Sequence, residues 1–148
     1  MAVLSEKSND RIYPVQPQVA VGAVVFRRNK VLLVHRGNPP AKGLWAIPGG
    51  RVRLGESLQK AAEREILEET GVTIRAGEPV FTFDMIDRNA TNRIRYHYVI
   101  IDLMAEYLHG KLNAGDDALS ARWVSSIEIA TLPVSAMTRR LLQDRFGF

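Results

Sequence analysis

The chain contains no cysteine, and this absence removes several classes of protein at once. A disulfide framework, a thiolate metal site and a cysteine nucleophile are all excluded. The chain also has no apolar run close to the roughly 18 residues that a membrane span requires. Residues 1–18 lack the apolar stretch of a secretory signal. We therefore expect a soluble, cytoplasmic protein with no membrane partner.

Neither apolar nor charged residues are present in unusual amounts. Of the 148 residues, 46% are hydrophobic and 24% are charged, as in ordinary globular domains. The net charge is +4 and the basic residues are scattered, so a preference for anionic ligands and an ordinary solvated surface both remain open. We expect one domain over residues 19–148, preceded by an arm over residues 1–18 in which Pro14 and Pro17 disfavour a helix.

The distribution of apolar residues predicts a mixed α/β chain. Strands are expected over residues 19–26, 30–35, 79–86, 94–103 and 122–124. Helical segments are expected over residues 57–70, 125–132 and 134–146. The first two strands and the two longest later strands are each predicted to form an antiparallel pair, and residues 110–121 are predicted to form a polar loop.

The helix predicted over residues 57–70 carries carboxylates on its apolar side. At about 100° per residue, Glu65 and Glu69 project in the same direction as the apolar residues. Carboxylates directed towards a core are costly unless cations pair with them. Two explanations stay open at this point. One is a hard divalent cation, Mg²⁺ or Mn²⁺, which oxygen ligands suit, and the other is a salt-bridged helix in which Lys60 and Arg64 pair with the glutamates.

A longer pattern surrounds these glutamates. From Gly50 the chain has five residues, then Glu56, then seven residues, and then REILEETGV at residues 64–72. This resembles the Nudix box, G-x5-E-x7-R-E-U-x-E-E-x-G-U with U aliphatic, at every position. On these residues the chain is identified as similar to the Nudix hydrolase family, in its compact MutT-like form.

The resemblance implies the Nudix fold, in which a mixed β-sheet lies between helices and the box forms a loop–helix–loop. It also implies Mg²⁺- or Mn²⁺-dependent hydrolysis of a nucleoside diphosphate linked to another moiety, of the (d)NTP type or the ADP-ribose and nucleotide-sugar type. Family members that act on ADP-ribose often carry a downstream proline where this chain has Asp87 and Arg88. Two alternatives stay open, namely a pyrophosphohydrolase of RNA 5′ ends and a non-catalytic nucleotide-sensing module. We expect a small nucleotide as the partner rather than nucleic acid, and a homodimer, common in the family, stays open.

The box positions also imply roles for individual residues. Glu56 and Arg64 match positions that brace the box through ion pairing. Glu65 matches a further metal ligand or the general base, and which carboxylate is the base stays open. The positions that match metal ligands are the Gly49 carbonyl, Glu65, Glu68 and Glu69.

Candidates outside the box are fewer. The loop after the fourth long strand carries Asp116 and Asp117. We select Asp117 because its position resembles the place where some MutT-like members supply an extra carboxylate ligand. The usual residue there is the longer Glu, and an ordinary turn is the alternative. Candidate substrate-binding residues are Arg36, Phe83, Arg95 and Tyr96, for which ordinary surface and strand positions are the alternative.

Overall fold

The computed structural model describes residues 10–148, so the first part of the predicted arm, residues 1–9, lies outside the described residues. The elements along the chain are β1 (Gln18–Arg27), β2 (Lys30–Arg36), β3 (Trp45–Ala46), β4 (Gly49–Arg51), α1 (Leu58–Thr70), β5 (Thr73–Arg88), β6 (Ile94–His109), β7 (Ala118–Ser125), α2 (Ser126–Ile129) and α3 (Ala136–Phe146). Within residues 10–148, no helix has the length and apolar character needed to cross a membrane.

A mixed sheet forms the middle of the molecule. β5 and β6 pair antiparallel, β1 pairs parallel with β6, and β2 pairs antiparallel with β1. The strand order is therefore β3-β2-β1-β6-β5, with β4 paired to β1 and β7 paired to β2. Because a parallel pair needs a long crossover connection, the chain between β1 and β6 has room for α1 and for the loop that precedes it.

Helices cover both faces of this sheet. On one face α1 buries Ala62 and Ile66 against Val21 and Leu103. On the other face α3 buries Leu141 in a second apolar cluster. Burying an aliphatic side chain of this size contributes about 1.5–3 kcal/mol, so each layer is held mainly by its apolar contacts. The predicted α/β fold, a mixed sheet between helices, is confirmed.

Local sequence sets both ends of α1. Ser57 precedes the helix, and its Oγ accepts a hydrogen bond from the Lys60 N–H at 3.1 Å. This satisfies one of the backbone donors that a helix start leaves free. Gly71 follows the helix with a φ of 76°, which glycine adopts without strain, and its N–H donates to the Leu67 carbonyl. The helix predicted over residues 57–70 is thus observed from Leu58 to Thr70, with Ser57 and Gly71 as its caps.

The later strands are longer than the sequence indicates. β5 begins at Thr73, ahead of Gly77 and Pro79, and the pairing with β6 shifts register around Pro79. Gly and Pro weaken a strand pattern, but pairing along β6 as far as His109 extends the strand past them. β7 likewise begins inside the predicted loop of residues 110–121, because it pairs with β2.

The described part of the predicted arm, residues 10–17, forms no helix or strand but contacts the sheet. The Tyr13 N–H donates to the Arg95 carbonyl at 2.8 Å. The Arg51 guanidinium pairs with the Asp10 carboxylate, also at 2.8 Å. These contacts fix this segment beside β4 and β6, and the division into an arm and a domain stays a prediction.

Candidate active site

Arg64 ties the loop before α1 to the helix. Its Nε and Nη2 donate to the two oxygens of Glu56 at 2.7 and 2.8 Å, in the parallel arrangement that arginine and carboxylate groups favour. Nη2 also donates to the Arg51 carbonyl at 3.0 Å. The hydrogen bonds from Arg64 are the main reason that the pKa of Glu56 is lowered to about 2. These contacts join the loop before α1 to the helix, and the bracing role of Glu56 and Arg64 stays a prediction.

Three carboxylates come together next to Arg64. Glu65 and Glu68 lie one turn apart on α1, and Asp116 approaches them from the loop before β7. One oxygen from each of the three lies within 4.8 Å of the others. Arg64 Nη1 donates to Glu65 at 2.6 Å and to Glu68 at 3.4 Å, so it neutralises only part of their charge. We term Glu65, Glu68 and Asp116 the acidic group.

The loop that carries Asp116 is bound to the end of α1. The Gly115 N–H donates to the Glu69 carbonyl at 3.0 Å, and the Asn113 N–H donates to the Thr70 carbonyl at 2.8 Å. These carbonyls have no partner within the helix, because they belong to its last turn. A Cβ at position 115 would lie 2.7 Å from a helix carbonyl oxygen, so glycine permits this approach. Asp116 therefore reaches the acidic group because its loop caps the helix.

Glu69 lies within the protein beside this group. It is 7% exposed, and its burial raises the pKa of its carboxyl to about 8. The charge of Glu65 raises that pKa further, whereas Arg36 acts in the opposite direction. Burial also raises the pKa of Glu65. Since burial disfavours the charged form of both groups, the site favours a cation that would offset their charge.

Glycine residues bring β4 against the helix. A Cβ on Gly50 would overlap the Glu65 carboxylate, so a side chain at position 50 does not fit here. Gly49 pairs with Gly22 of β1, and the preceding Pro48 carbonyl accepts a hydrogen bond from a β1 N–H at 3.1 Å. The backbone of β4 is thereby held next to the glutamates of α1.

Asp116, the neighbour of the predicted ligand Asp117, lies beside Glu65 and Glu68. Asp117 does not belong to the acidic group, and its Oδ2 lies 3.5 Å from Arg11 Nη1. Together with Arg36 and Glu69 it lines a small cavity at the end of β2. Neighbouring residues in a loop point in different directions, and the docking of this loop on α1 decides which one meets Glu65. The metal role of Asp117 stays a prediction.

The predicted substrate-binding residues lie in two places. Arg36 lines the cavity beside Glu69. Tyr96 is buried on β6, and Phe83 is half-buried on the neighbouring strand β5. Arg95 pairs at 2.6 Å with Asp87 across the exposed end of this hairpin. Arg36 is therefore beside the carboxylates, Arg95 has an acidic partner of its own, and the substrate-binding roles stay predictions.

Two basic residues near the site, Arg11 and Arg51, were not selected from the sequence. Burial raises the pKa of Tyr98, and the charges of Arg11, Arg51 and Arg36 oppose this rise. Three guanidinium groups from separate segments therefore lie near one buried tyrosine. Only Arg51, directly after the first glycine of the box, offered a signal in the sequence. Arg11 is brought there by the fold of residues 10–17.

A comparison with known proteins decides the family. The NUDIX domain family model matches residues 16–144. The chain belongs to the Nudix family. Its sequence is 38% identical over 113 residues to the ADP-ribose pyrophosphatase of Methanocaldococcus jannaschii, a match that covers 76% of this chain and 64% of that protein. This Nudix chain spans between 30% and 64% of the length of the first curated relatives that it matches.

Solved structures support the same assignment. The MutT NUDIX hydrolase from Burkholderia pseudomallei matches with a TM-score of 0.74 and 30% identity, over 86% of this chain and 97% of that chain. A bifunctional NMN adenylyltransferase/ADP ribose pyrophosphatase from Francisella tularensis, in complex with AMP and an Mn ion, matches with a TM-score of 0.68 and 26% identity. That match covers 86% of this chain and 40% of the other. The Nudix fold and the MutT-like family inferred from the box are confirmed.

Proposed function

We propose that this Nudix domain is a divalent-metal-dependent pyrophosphohydrolase that cleaves the diphosphate of a nucleoside diphosphate linked to another moiety. The observation that carries the proposal is the acidic group, whose three carboxylates lie within 4.8 Å of one another at the Nudix helix. The names of the relatives support it, because they include an ADP-ribose pyrophosphatase and a MutT NUDIX hydrolase.

The donors available at the acidic group suit a hard divalent cation such as Mg²⁺ or Mn²⁺. They are carboxylate oxygens, which such ions prefer. The residues that would hold the ion are Glu65, Glu68 and Asp116, with Glu69 and the Gly49 carbonyl as the further ligands inferred from the box. When bound, the ion supplies charge that offsets the diphosphate and lowers the pKa of a water molecule.

The other residues of the site position these groups. Arg64 donates to Glu65 and to Glu68, and its paired bonds to Glu56 restrict its own movement. Arg64 therefore links Glu65 and Glu68 on α1 to Glu56 in the loop before the helix. Arg36 lines the cavity beside Glu69, and Arg51 directly follows Gly50, which lies against Glu65. Guanidinium groups pair well with phosphate oxygens. We assign to these two arginines the binding of the substrate phosphates.

Two types of group linked to the diphosphate have support among the relatives. The relative from Methanocaldococcus jannaschii supports a substrate of the ADP-ribose or nucleotide-sugar type. The MutT relative supports a (d)NTP. The chain has Asp87 and Arg88 where ADP-ribose hydrolases often have a proline. Both types therefore belong in the first assay.

The proposal is tested by incubating the protein with Mg²⁺ or Mn²⁺ and a substrate panel. The panel contains NTPs, dNTPs including 8-oxo-dGTP, ADP-ribose, NDP-sugars and triphosphorylated RNA, and products are separated by chromatography. We expect metal-dependent cleavage at one diphosphate. Glu68→Gln should lower kcat by about a hundredfold or more, because it removes a charged oxygen from the acidic group.

Glu78→Gln is the matched control, since Glu78 is exposed on β5. It should retain full activity. An active Glu68→Gln variant would contradict the metal assignment. Tight nucleotide binding without turnover would favour the sensing module instead.

A further inference from the structure

Asp102 is a buried carboxyl group that the site described above does not use. It lies on β6 and is 5% exposed. Burial raises the pKa of this carboxyl group to about 7. Among residues 10–148, no side chain or backbone group donates a hydrogen bond to it. Within residues 10–148 its oxygens are not among the fully buried side-chain atoms that lack a partner, so they keep a small contact with solvent through which a ligand can reach them.

The fold makes room for this side chain. Gly22 of β1 is the register partner of Asp102, and a Cβ on Gly22 would overlap Asp102 Oδ1. The same Cβ would lie 3.0 Å from Cγ2 of Ile47. Gly22 is not among the glycines with a positive φ, so backbone freedom does not explain its presence. The space that the Asp102 carboxyl group occupies explains the glycine at position 22.

The surrounding sheet face is apolar and aromatic. Phe81 is the register partner of Asp102 on β5, and Phe83 and Ile100 form the next row of the sheet. The rings of Phe81 and Phe83 lie 5.7 Å apart and both side chains are half-buried. Flat aromatic and apolar surfaces of this kind suit a planar ring, which can stack on them.

This face begins next to the Nudix box. Gly22 lies between Gly49 of β4 and Asp102 of β6 in the strand register. Two strand spacings, about 10 Å, therefore separate Asp102 from Gly49. The following residue, Gly50, faces the opposite side of the sheet, where it lies against Glu65 of the acidic group, so a nucleotide that contacts both would reach past the short strand β4. A nucleotide extends over a similar distance from its phosphate to the far edge of its base.

We propose that Asp102 is a specificity-determining residue that accepts hydrogen bonds from the base of the nucleotide substrate. The inference rests on the proposed function. An ionised carboxylate has acceptors only, and its two oxygens match two adjacent N–H donors. The Watson–Crick edge of guanine has such a pair, whereas adenine places an acceptor nitrogen beside its single amine. The base that this site favours is therefore guanine.

The first experiment compares steady-state hydrolysis of GTP, ITP, ATP and dGTP by the wild-type protein, Asp102→Asn and Asp84→Asn. Inosine lacks the exocyclic amine of guanine, and dGTP lacks the ribose 2′-hydroxyl. Asp84 is the matched control, because it is exposed on the opposite face of β5. We expect Asp102→Asn to lower the ratio of kcat/KM for GTP over ITP about tenfold, the effect of losing one good bidentate contact. Asp84→Asn should leave the ratio unchanged.

An unchanged ratio in Asp102→Asn would overturn the inference. A change that follows the sugar, seen between GTP and dGTP rather than between GTP and ITP, would also overturn the assignment to the base. Gly22→Ala gives a second test, because its Cβ would displace the Asp102 carboxylate. It should reduce the same selectivity in a protein that keeps the native side chain at position 102.

Binding separates this inference from the proposed function. Titrations of GMP, IMP and AMP into the wild-type protein and Asp102→Asn, followed by calorimetry, require no hydrolysis. Guanine-selective binding that Asp102→Asn removes would support the inference even if no nucleotide in the panel were cleaved, which would contradict the proposed function alone. Equal binding of all three, or no binding, would overturn the inference whether or not the protein is a hydrolase.

Discussion

Replacing Asp102 by asparagine is expected to remove a pH dependence from the stability of the protein. Burial raises the pKa of this carboxyl from 3.8 to about 7. Between these values the folded state holds a proton that the unfolded state has released. The contribution to the free energy of unfolding is therefore fully present below about pH 4 and is lost as the pH rises through 7. A shift of about three units corresponds to about 4 kcal/mol, at about 1.4 kcal/mol per unit.

The assay is urea unfolding of the wild-type protein and Asp102→Asn at several values between about pH 4 and pH 8. The wild type is expected to lose about 4 kcal/mol relative to the variant over this range. Taking the difference matters because Glu69, whose pKa is also raised by burial, titrates in both proteins. Asp84→Asn controls for the loss of a carboxylate at an exposed position. Parallel profiles for the wild type and Asp102→Asn would refute the reasoning, since they would mean that Asp102 is solvated or paired in solution.

Three further predictions concern α1 and its loops. Glu56→Gln weakens the contact with Arg64 and should lower the free energy of unfolding by about 2 kcal/mol in urea; an unchanged midpoint would contradict the bracing role. Ser57→Ala removes the helix cap and should lower the free energy of unfolding by about 1 kcal/mol in thermal unfolding. An unchanged Tm would contradict this. Asp116→Asn should weaken Mn²⁺ binding about tenfold in titrations followed by electron paramagnetic resonance. An equal effect of Asp117→Asn would contradict the assignment of Asp116, rather than Asp117, to the acidic group.

The amino-acid sequence by itself determined the family, the Nudix helix and most of its carboxylates. These features lie within residues 50–72, where the spacing along one helix decides which side chains share a face. The caps of α1 are equally local, because Ser57 and Gly71 act on groups three or four residues away. Sequence patterns succeed for such features because their geometry depends on neighbours along the chain.

Tertiary structure alone decided the rest of the site. Asp116 rather than Asp117 joins Glu65 because the loop before β7 docks on the end of α1. Asp102 is buried because β6 lies between β1 and β5, although its position in the strand pattern resembles that of any exposed aspartate. Arg11 lies near Tyr98 and Asp117, which are far from it along the chain. Each of these positions depends on contacts between distant segments, which local periodicity does not encode.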